Sequence, residues 1–529
     1  MPTDRISYQD SGFFSRLIDD YLDRADTVKP LYNRFPELPA FGAQIKEKAA
    51  NFKGDRNLLA DVILEQYRGL RPGDETVSQI EKLRRPETFT VTTGHQLNLF
   101  TGPLYFLYKI ATAINLSRKL KAAYPEYDFV PIYWMATEDH DFEEINYFNF
   151  KGRKFRWNRE SAGPVGRLST NGLDRFLNVF APEMGYSHNA DYLKDLFEKS
   201  YLEHKNLSDA TRFLAHGLFG AHGLVIVDAD DDRLKQEFAP YIERELLEQP
   251  SYTAVRETIA AMRGYDIQVN PREINLFYME NGMRERIVPE NEGFSIHNTD
   301  MRFSKEQMLE LLEKHPGRFS PNVVMRPLYQ EVILPNLCYI GGGGEIAYWL
   351  ELKAFFSRMG VAFPMLMVRN SALLATAKQM AKADRLQLSW ADLFKKPDAL
   401  ANDRIRSFSE FNLDFSAQKK FLEAQFDALE HIAQQTDKSF TGAVRAQKAK
   451  QLKGLENLEK RLVKAEKRRH ADALERMAGL QKELFPNGGL QERFSNFSEF
   501  WLIAGPELIE RILAALDPFD ARFAIIAAD

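Results

Sequence analysis

The segment from Thr88 to Met135 restricts this chain more than any other. Thr88 to Thr93 (TFTVTT) is a short β-branched run, Leu104 to Ala123 is amphipathic at helical spacing, and Phe129 to Met135 (FVPIYWM) is almost wholly apolar. Strand, helix and strand in that order make a βαβ unit, which requires a parallel sheet covered on both faces. Short apolar runs recur at Leu224 to Asp228, Asn336 to Ile340 and Phe363 to Val368. Helices are predicted between them, notably over Asp232 to Leu247 and Ile346 to Arg358. The expected fold class is therefore α/β with a Rossmann-like, doubly wound parallel sheet.

The flanking regions read differently. The first 85 residues look helical, over Ser15 to Ala25 and Phe41 to Tyr67. Ile145 to Ser169 and Tyr265 to His297 read as antiparallel hairpins inserted in the core, the clearest turn being Asn281-Gly282. From about Ser416 the chain becomes long, charged and nearly free of proline. Leu455, Leu458, Leu462 and Ala465, then Met477, Leu480 and Leu484, follow coiled-coil steps with a slip near Arg469. A break over Thr436 to Gly442 makes this an antiparallel helical hairpin. The basic run Lys464 to His470 reads as a solvated face. The last 40 or so residues return to globular character.

Composition narrows the function classes. The 529 residues carry 70 basic and 75 acidic side chains, a formal net charge of -5, which argues against a nucleic-acid coat protein. The lone cysteine, Cys338, excludes an intrachain disulfide and a cysteine zinc site. The N-terminus does not read as a signal peptide, and no stretch reaches the roughly 20 apolar residues of a membrane helix. A cytoplasmic protein that binds neither nucleic acid nor membrane is expected.

Four constellations can carry chemistry. In the first, Thr93, Gly94, His95 and Gln96 follow the opening strand, and Gly102 precedes the helix. A strand–loop–helix junction offers free amides and a helix dipole to an anion, and His95 can neutralise a phosphate. A structural turn with a hydrogen-bonded histidine explains the same residues equally well. In the second, Glu138, Asp139, His140 and Asp141 crowd carboxylates at the carboxyl end of a strand, where open α/β sheets bind ligands. They can hold Mg²⁺ with nucleotide phosphates, bind an amino group or act as a general base. Helix capping and a solvated acidic face are the alternative. In the third, Gly341, Gly342, Gly343 and Gly344 between strand and helix can form a nest of N–H groups, with Glu345 in the first turn. A flexible turn is the alternative. In the fourth, Asn322, Arg326 and Gln330 fall four residues apart, the guanidinium suiting a carboxylate or phosphate, and a plain ion pair explains it equally well. No GxSxG, HExxH or Ser-His-Asp pattern is present.

Read together, five ordered blocks resemble the bacillithiol biosynthesis cysteine-adding enzyme family, the BshC cysteine ligases. They are TGHQLNLFTGPLYFLYKI (Thr93 to Ile110), PIYWMATEDHDFEEIN (Pro131 to Asn146), FSPNVVMRPLYQEVILP (Phe319 to Pro335), GGGGEIAYWLELK (Gly341 to Lys353) and FPNGGLQERFSN (Phe485 to Asn496). The resemblance implies a Rossmann-like core over 1–375 with insertions near 145–205 and 255–318. It implies a coiled-coil arm over 376–486 that mediates homodimerisation, and a 487–529 segment returning to the core. The implied activity is the final step of bacillithiol synthesis, joining the carboxyl group of L-cysteine to the amine of glucosaminyl malate. Activating that carboxylate implies ATP or another nucleotide, with Mg²⁺ as an optional companion. On this reading Glu138, Asp139, His140 and Asp141 form the catalytic cluster, and no metal ligand is assigned. Asn322, Arg326, Gln330, Glu345 and Tyr348 bind substrate. Thr93, Gly94, His95, Gln96, Gly102 and Gly341 to Gly344 bind the nucleotide. A nucleotidyl- or glycosyl-transfer enzyme on the same sheet, and a non-catalytic dimeric scaffold, are the rival readings.

Overall fold

Five buried strands run parallel at the centre of the chain: β1 (Thr88–His95), β2 (Asp128–Met135), β3 (Val225–Asp228), β4 (Asn336–Gly341) and β5 (Met365–Val368). The structure is a computed structural model and describes residues 5–529 except Arg71 and Asn281. The strand order is β5-β4-β1-β2-β3, so the chain winds outward from β1 in one direction and then restarts beside it with β4. β1 pairs with β2 along its full length, from Thr88 opposite Asp128 to His95 opposite Met135. The helices that shape the site are α1 (Tyr105–Ala123), α2 (Asp232–Glu248), α3 (Met325–Ile333) and α4 (Gly343–Leu350).

The sheet is held by two kinds of contact. Phe89 and Val91 of β1, Leu337 and Ile340 of β4 and Met365 of β5 pack with Ala113, Leu116 and Leu120 of α1 in one apolar cluster. Cys338 lies within that cluster and is buried, as its place in a strand predicts. A polar seam also crosses the core. Thr92 donates to the Asn336 amide oxygen at 2.9 Å, Asn336 donates to Glu331 at 2.6 Å, and Lys48 closes the chain on Glu331 at 2.7 Å. Each of these groups is buried and partnered, as burial of polar atoms demands.

The insertions are built as short antiparallel sheets. Tyr147–Phe150 and Arg153–Arg156 form one hairpin, and Lys151 (φ 48°) and Gly152 (φ 76°) supply the two positive φ values of a tight turn. Ala162 to Pro164 leads into a short 3₁₀ turn over Val165–Arg167 rather than a second hairpin. The second insertion is larger than expected: Arg302–Ser304, Gly293–Ile296, Met283–Glu290, Leu276–Glu280 and Phe319–Pro321 line up as a five-stranded sheet. The expected Asn281-Gly282 turn includes Asn281, which lies outside the described residues.

Several boundaries correct the sequence reading. Phe41 to Tyr67 is two helices, Phe41–Asn51 and Arg56–Gln66, because Asp55 caps a new start by accepting from the Asn57 and Leu58 amides. Ile346 to Arg358 likewise breaks at Glu351 and Leu352. The strand expected to end at Thr93 continues through His95, so Gly94 and His95 are strand residues.

The chain divides into two compact units, and residues 377–488 make up nearly all of the second. Within it, α5 (Ser416–Ala433) and α6 (Lys438–Arg469) lie antiparallel. The ion pairs Arg445–Glu430, Lys448–Asp427 and Lys419–Glu459 step backward on α5 as they advance along α6. Helix α7 (Ala471–Leu484) follows a break at His470, where the leucine pattern slips. Among the described residues, no helix is long and apolar enough to cross a membrane.

Candidate functional site

Where strand order reverses, between β1 and β4, the loops leave in opposite directions and open a crevice at the carboxyl edge of the sheet. A cleft of about 1030 Å³ lies there. Its floor is Gly94 and His95 of β1 with Gln96 after them, Trp134 to Asp139 from β2 and the loop after it, and Tyr339 of β4 with Gly342 just beyond that strand. The size is at the top of the range for small-molecule sites.

A buried ionic network holds the floor. Lys109 of α1 reaches back to the Gly94 carbonyl at 2.7 Å and to Glu345 of α4 at 2.6 Å. Glu345 also accepts from the Gly342 amide (2.8 Å) and from the Tyr339 hydroxyl (2.9 Å). Burial disfavours its charge, but Lys109 and these donors outweigh that and hold the carboxyl below its ordinary value. Burial lowers Lys109 more than Glu345 restores. Glu345 thus acts as a brace between α1 and α4 beside the cleft. Gly94 permits this geometry: a Cβ there would stand 3.1 Å from the Tyr339 hydroxyl.

Arg326 projects from α3 into an aromatic box. Its guanidinium lies 5.6 to 5.9 Å from the rings of Trp134, Tyr339 and Trp349. It donates to Gln330 (3.1 Å) and to the Tyr348 hydroxyl (3.4 Å). No carboxylate pairs with it among the described residues, and it lines the cleft with Tyr348. Gln330 lies behind it, fully buried and also bonded to Glu331. Asn322 lines the cleft, but its side-chain oxygen accepts from the Val324 amide at 2.8 Å and its amide donates to Asn275 at 2.9 Å. That side chain starts the turn into α3 and holds it to the second insertion.

The acidic run is divided by the fold. Glu138 faces the cleft and is ion-paired to buried Lys235 of α2, which also contacts Asp230 at 3.4 Å. Burial pushes the Glu138 carboxyl up to about 7; Lys235 opposes that shift and Asp230 adds to it. Asp139 and Glu144 are bridged by the Gln96 amide, at 2.9 and 2.8 Å. His140 is exposed outside the cleft lining and meets Arg284 at 2.7 Å; Asp141 is exposed and also lies outside it. No group of three or more His, Cys, Asp or Glu is arranged to hold a metal among the described residues.

His95 is almost fully buried, with its ring against Tyr105 and Phe106. Burial, with Lys109 and Arg369 nearby, holds its pKa well below the ordinary value. That shift favours the neutral ring. Its Nε2 has no hydrogen-bond partner among the described residues. Thr93 and Gly102 do not line the cleft. The Thr93 hydroxyl donates to the Ile340 carbonyl at 2.8 Å, and Gly102 makes a turn at φ 64° against Asn98. Strand, loop and helix follow in the expected order, and helix α1 begins at Tyr105 with no side-chain cap.

Of the glycines, Gly342 and Gly344 line the cleft, whereas Gly341 ends β4 and Gly343 faces Phe14. The main residues missed in the sequence are basic: Lys109, Arg272, Arg284, Arg286, Arg369 and Arg493 also line the cleft. They come from segments far apart in the chain. Only Lys109 and Arg493 lay within a block quoted above, and no local spacing marks the others.

A family model described as "Bacillithiol biosynthesis BshC, N-terminal Rossmann-like domain" matches residues 1–370, and one described as "Bacillithiol biosynthesis BshC, C-terminal coiled-coil domain" matches 372–528. A protein of Flavobacterium johnsoniae named "Putative cysteine ligase BshC" is 60% identical, covering 99% of this chain and 100% of its own. A protein of the same name from Flavobacterium psychrophilum is 57% identical over 99% of each chain. One from Chlorobaculum tepidum is 29% identical over 90% of this chain and 89% of its own.

Proposed function

The chain belongs to the bacillithiol biosynthesis BshC family, and from that premise we propose that it joins the carboxyl group of L-cysteine to the amine of glucosaminyl malate at the β1–β4 cleft. The observation that carries this reading is the pairing, in one cleft, of a carboxyl raised to about 7 with an arginine that has no carboxylate partner among the described residues. The first suits an amine that must lose a proton; the second suits a substrate carboxylate.

A carboxylate and an amine in water form a salt rather than an amide, so the acyl carbon must gain a leaving group. A nucleoside triphosphate supplies that leaving group when bound. The glycines at the start of α4 and the Arg369 Nε, without a hydrogen-bond partner among the described residues, fit a phosphate of such a nucleotide. Arg326 holds a malate carboxylate in two-point contact, its plane fixed by the aromatic box. Glu138, as the carboxylate paired with Lys235, accepts the proton that the attacking nitrogen sheds as the C–N bond forms, and Lys235 keeps Asp230 as its partner once Glu138 is neutral. Lys109 and Glu345 position the floor without touching substrate. The thiol chemistry belongs to the substrate, since Cys338 is buried.

The arm offers a surface for a second copy. Phe421, Ile432 and Leu458 are 69, 57 and 54% exposed, a high price in water for three large apolar side chains on two packed helices. We infer a homodimer formed through the arm, working in a reducing cytoplasm.

The test is reconstitution. Purified protein is incubated with L-cysteine, glucosaminyl malate and ATP, and bacillithiol is followed by mass spectrometry. Product that requires all three substrates supports the ligase reading. Absence of product while a nucleotide sugar is consumed without cysteine would replace it with a transfer reaction.

A further inference from the structure

We propose that the N-terminus of α4, Arg369 and Arg493 form a phosphoryl-binding subsite in a small cavity beside the main cleft. The cavity measures about 170 Å³ and shares Gly342, Gly344, Arg369 and Arg493 with the cleft. It falls below the roughly 300–1,000 Å³ of ordinary small-molecule pockets. A nucleoside does not fit it, whereas a phosphoryl group does, and the rest of such a ligand would extend into the cleft.

Arg369 provides the independent observation. Its side chain is 4% exposed, and most of its donors are committed: Nη2 to Glu492 at 2.7 Å, Nη1 to the Asn370 carbonyl and the Ser371 hydroxyl at 3.0 and 3.1 Å. Its Nε has no hydrogen-bond partner among the described residues, although it is buried. That Nε lies 3.7 Å from the point where a Cβ on Gly342 would stand, and the Glu345 Oε2 that accepts from the Gly342 amide lies 3.5 Å from the same point, its charge answered by Lys109. A buried N–H of a charged group left without an acceptor is costly, and this one sits at the start of a helix. Gly342 is the N-cap of α4, and helix geometry leaves the amides of Gly343 and Gly344 without intrahelical acceptors. Those amides and the helix dipole attract an anion to the same point.

Arg493 is brought there by the returning C-terminal segment. Gln491 makes two amide bonds with Leu374, both at 2.9 Å, in the manner of a strand neighbour. Glu492 accepts from Arg369, from Ser371 (3.2 Å) and from the Ala372 amide (3.2 Å). These contacts fix the backbone on both sides of the cavity and leave Arg493 exposed at its mouth, with no ion pair among the described residues.

The charge balance favours an anion. Glu492 offsets Arg369 and has both oxygens engaged, Glu345 is answered by Lys109, and Arg493 is unanswered. Donors converge from the helix start, from Arg369 and from Arg493. A tetrahedral phosphoryl group presents oxygens in all three directions, which a planar carboxylate does not. This inference deepens the nucleotide reading above and rests on it only for the source of the phosphoryl group.

The test is calorimetric titration of the full chain with inorganic pyrophosphate, alone and in the presence of malate. Pyrophosphate should bind, and malate should leave that affinity unchanged. Arg493→Ala removes an exposed side chain and should weaken pyrophosphate binding about 10- to 100-fold, the loss expected for a charge-assisted contact. Arg369→Lys keeps the charge but deletes Nε–H, and should weaken it comparably while circular dichroism shows the fold retained. Unchanged affinity in Arg493→Ala, no pyrophosphate binding, or displacement by malate would overturn the subsite. Titration with ADP identifies the source, since a nucleotide ligand should bind more tightly than pyrophosphate alone. Pyrophosphate binding by a protein that makes no bacillithiol would keep the subsite and sink the ligase reading. Product formation with Arg493→Ala indifferent to pyrophosphate would do the reverse.

Discussion

At the scale of single residues, Glu138 and Arg326 differ in what surrounds them, and their tests differ accordingly. Glu138 is raised to about 7 by burial, so its base form grows as pH climbs through neutrality. The kcat of the ligation should therefore rise through about pH 7 and level off above it. Glu138→Gln should lower kcat by about 10²- to 10⁴-fold, the usual contribution of a positioned base, and flatten that limb. A variant retaining both full rate and pH profile would remove Glu138 from catalysis. Arg326 is fixed by three rings and by Gln330, so its planar fork matters more than its charge alone. Arg326→Lys should raise KM for glucosaminyl malate about tenfold or more while leaving the thermal midpoint nearly unchanged. An unchanged KM would place the malate carboxylate elsewhere, with Arg284 the next arginine to test.

Elements are joined by buried polar groups, and two of these give measurable consequences. Lys48 and Glu331 tie the helix Phe41–Asn51 to α3 with side chains 1 and 0% exposed. Glu331→Ala would strand the Lys48 charge and leave Asn336 and Gln330 without an acceptor. Unfolding by denaturant should show a loss of about 3–5 kcal/mol; a loss below about 1 kcal/mol would mean that water reaches Lys48. Glu351, at the end of α4, accepts from the Gln268 amide at 2.8 Å. Burial raises its carboxyl to about 7, with the Gln268 and Val269 amides opposing that. A carboxyl that keeps its proton when folded and loses it when unfolded favours the folded state fully below its ordinary pKa. That contribution fades as pH rises through about 7. Glu351→Gln should therefore reduce the fall in thermal midpoint between pH 5 and 8. An identical pH dependence in the variant would show that Glu351 does not titrate in this range.

For the whole molecule, the central question is whether the arm brings two copies together. Phe421, Ile432 and Leu458 are exposed on helices whose ion pairs already satisfy their mutual contact. Light scattering after gel filtration should give a mass near twice 61.0 kDa for the native chain. Leu458→Glu combined with Phe421→Glu should shift it to the monomer. A native mass of one chain, or a dimer insensitive to these changes, would assign the exposed residues another role.

The sheet core was legible in the residues because its strands are buried on both faces and read as short apolar or β-branched runs between helical periods. The arm was legible because an antiparallel helical pair needs long, proline-poor amphipathic segments, and even its break at His470 shows as a slip in leucine spacing. The five ordered blocks likewise pointed to the family. What the residues alone left open was which of them meet. His95 reads as a potential cation, but burial against Tyr105 and Phe106 and the nearby Lys109 lower its pKa and favour the neutral ring. Asp141 and Glu138 stand three positions apart, yet of the two only Glu138 lines the cleft, with buried Lys235 of α2 as its ion-pair partner. Arg369 and Arg493, more than 120 positions apart, are brought together when Glu492 docks on the first of them. Local periodicity determines elements because it is set by neighbours in the chain. Protonation, pairing and the composition of a cleft depend on desolvation and on charges from distant segments, and only the tertiary structure decides those.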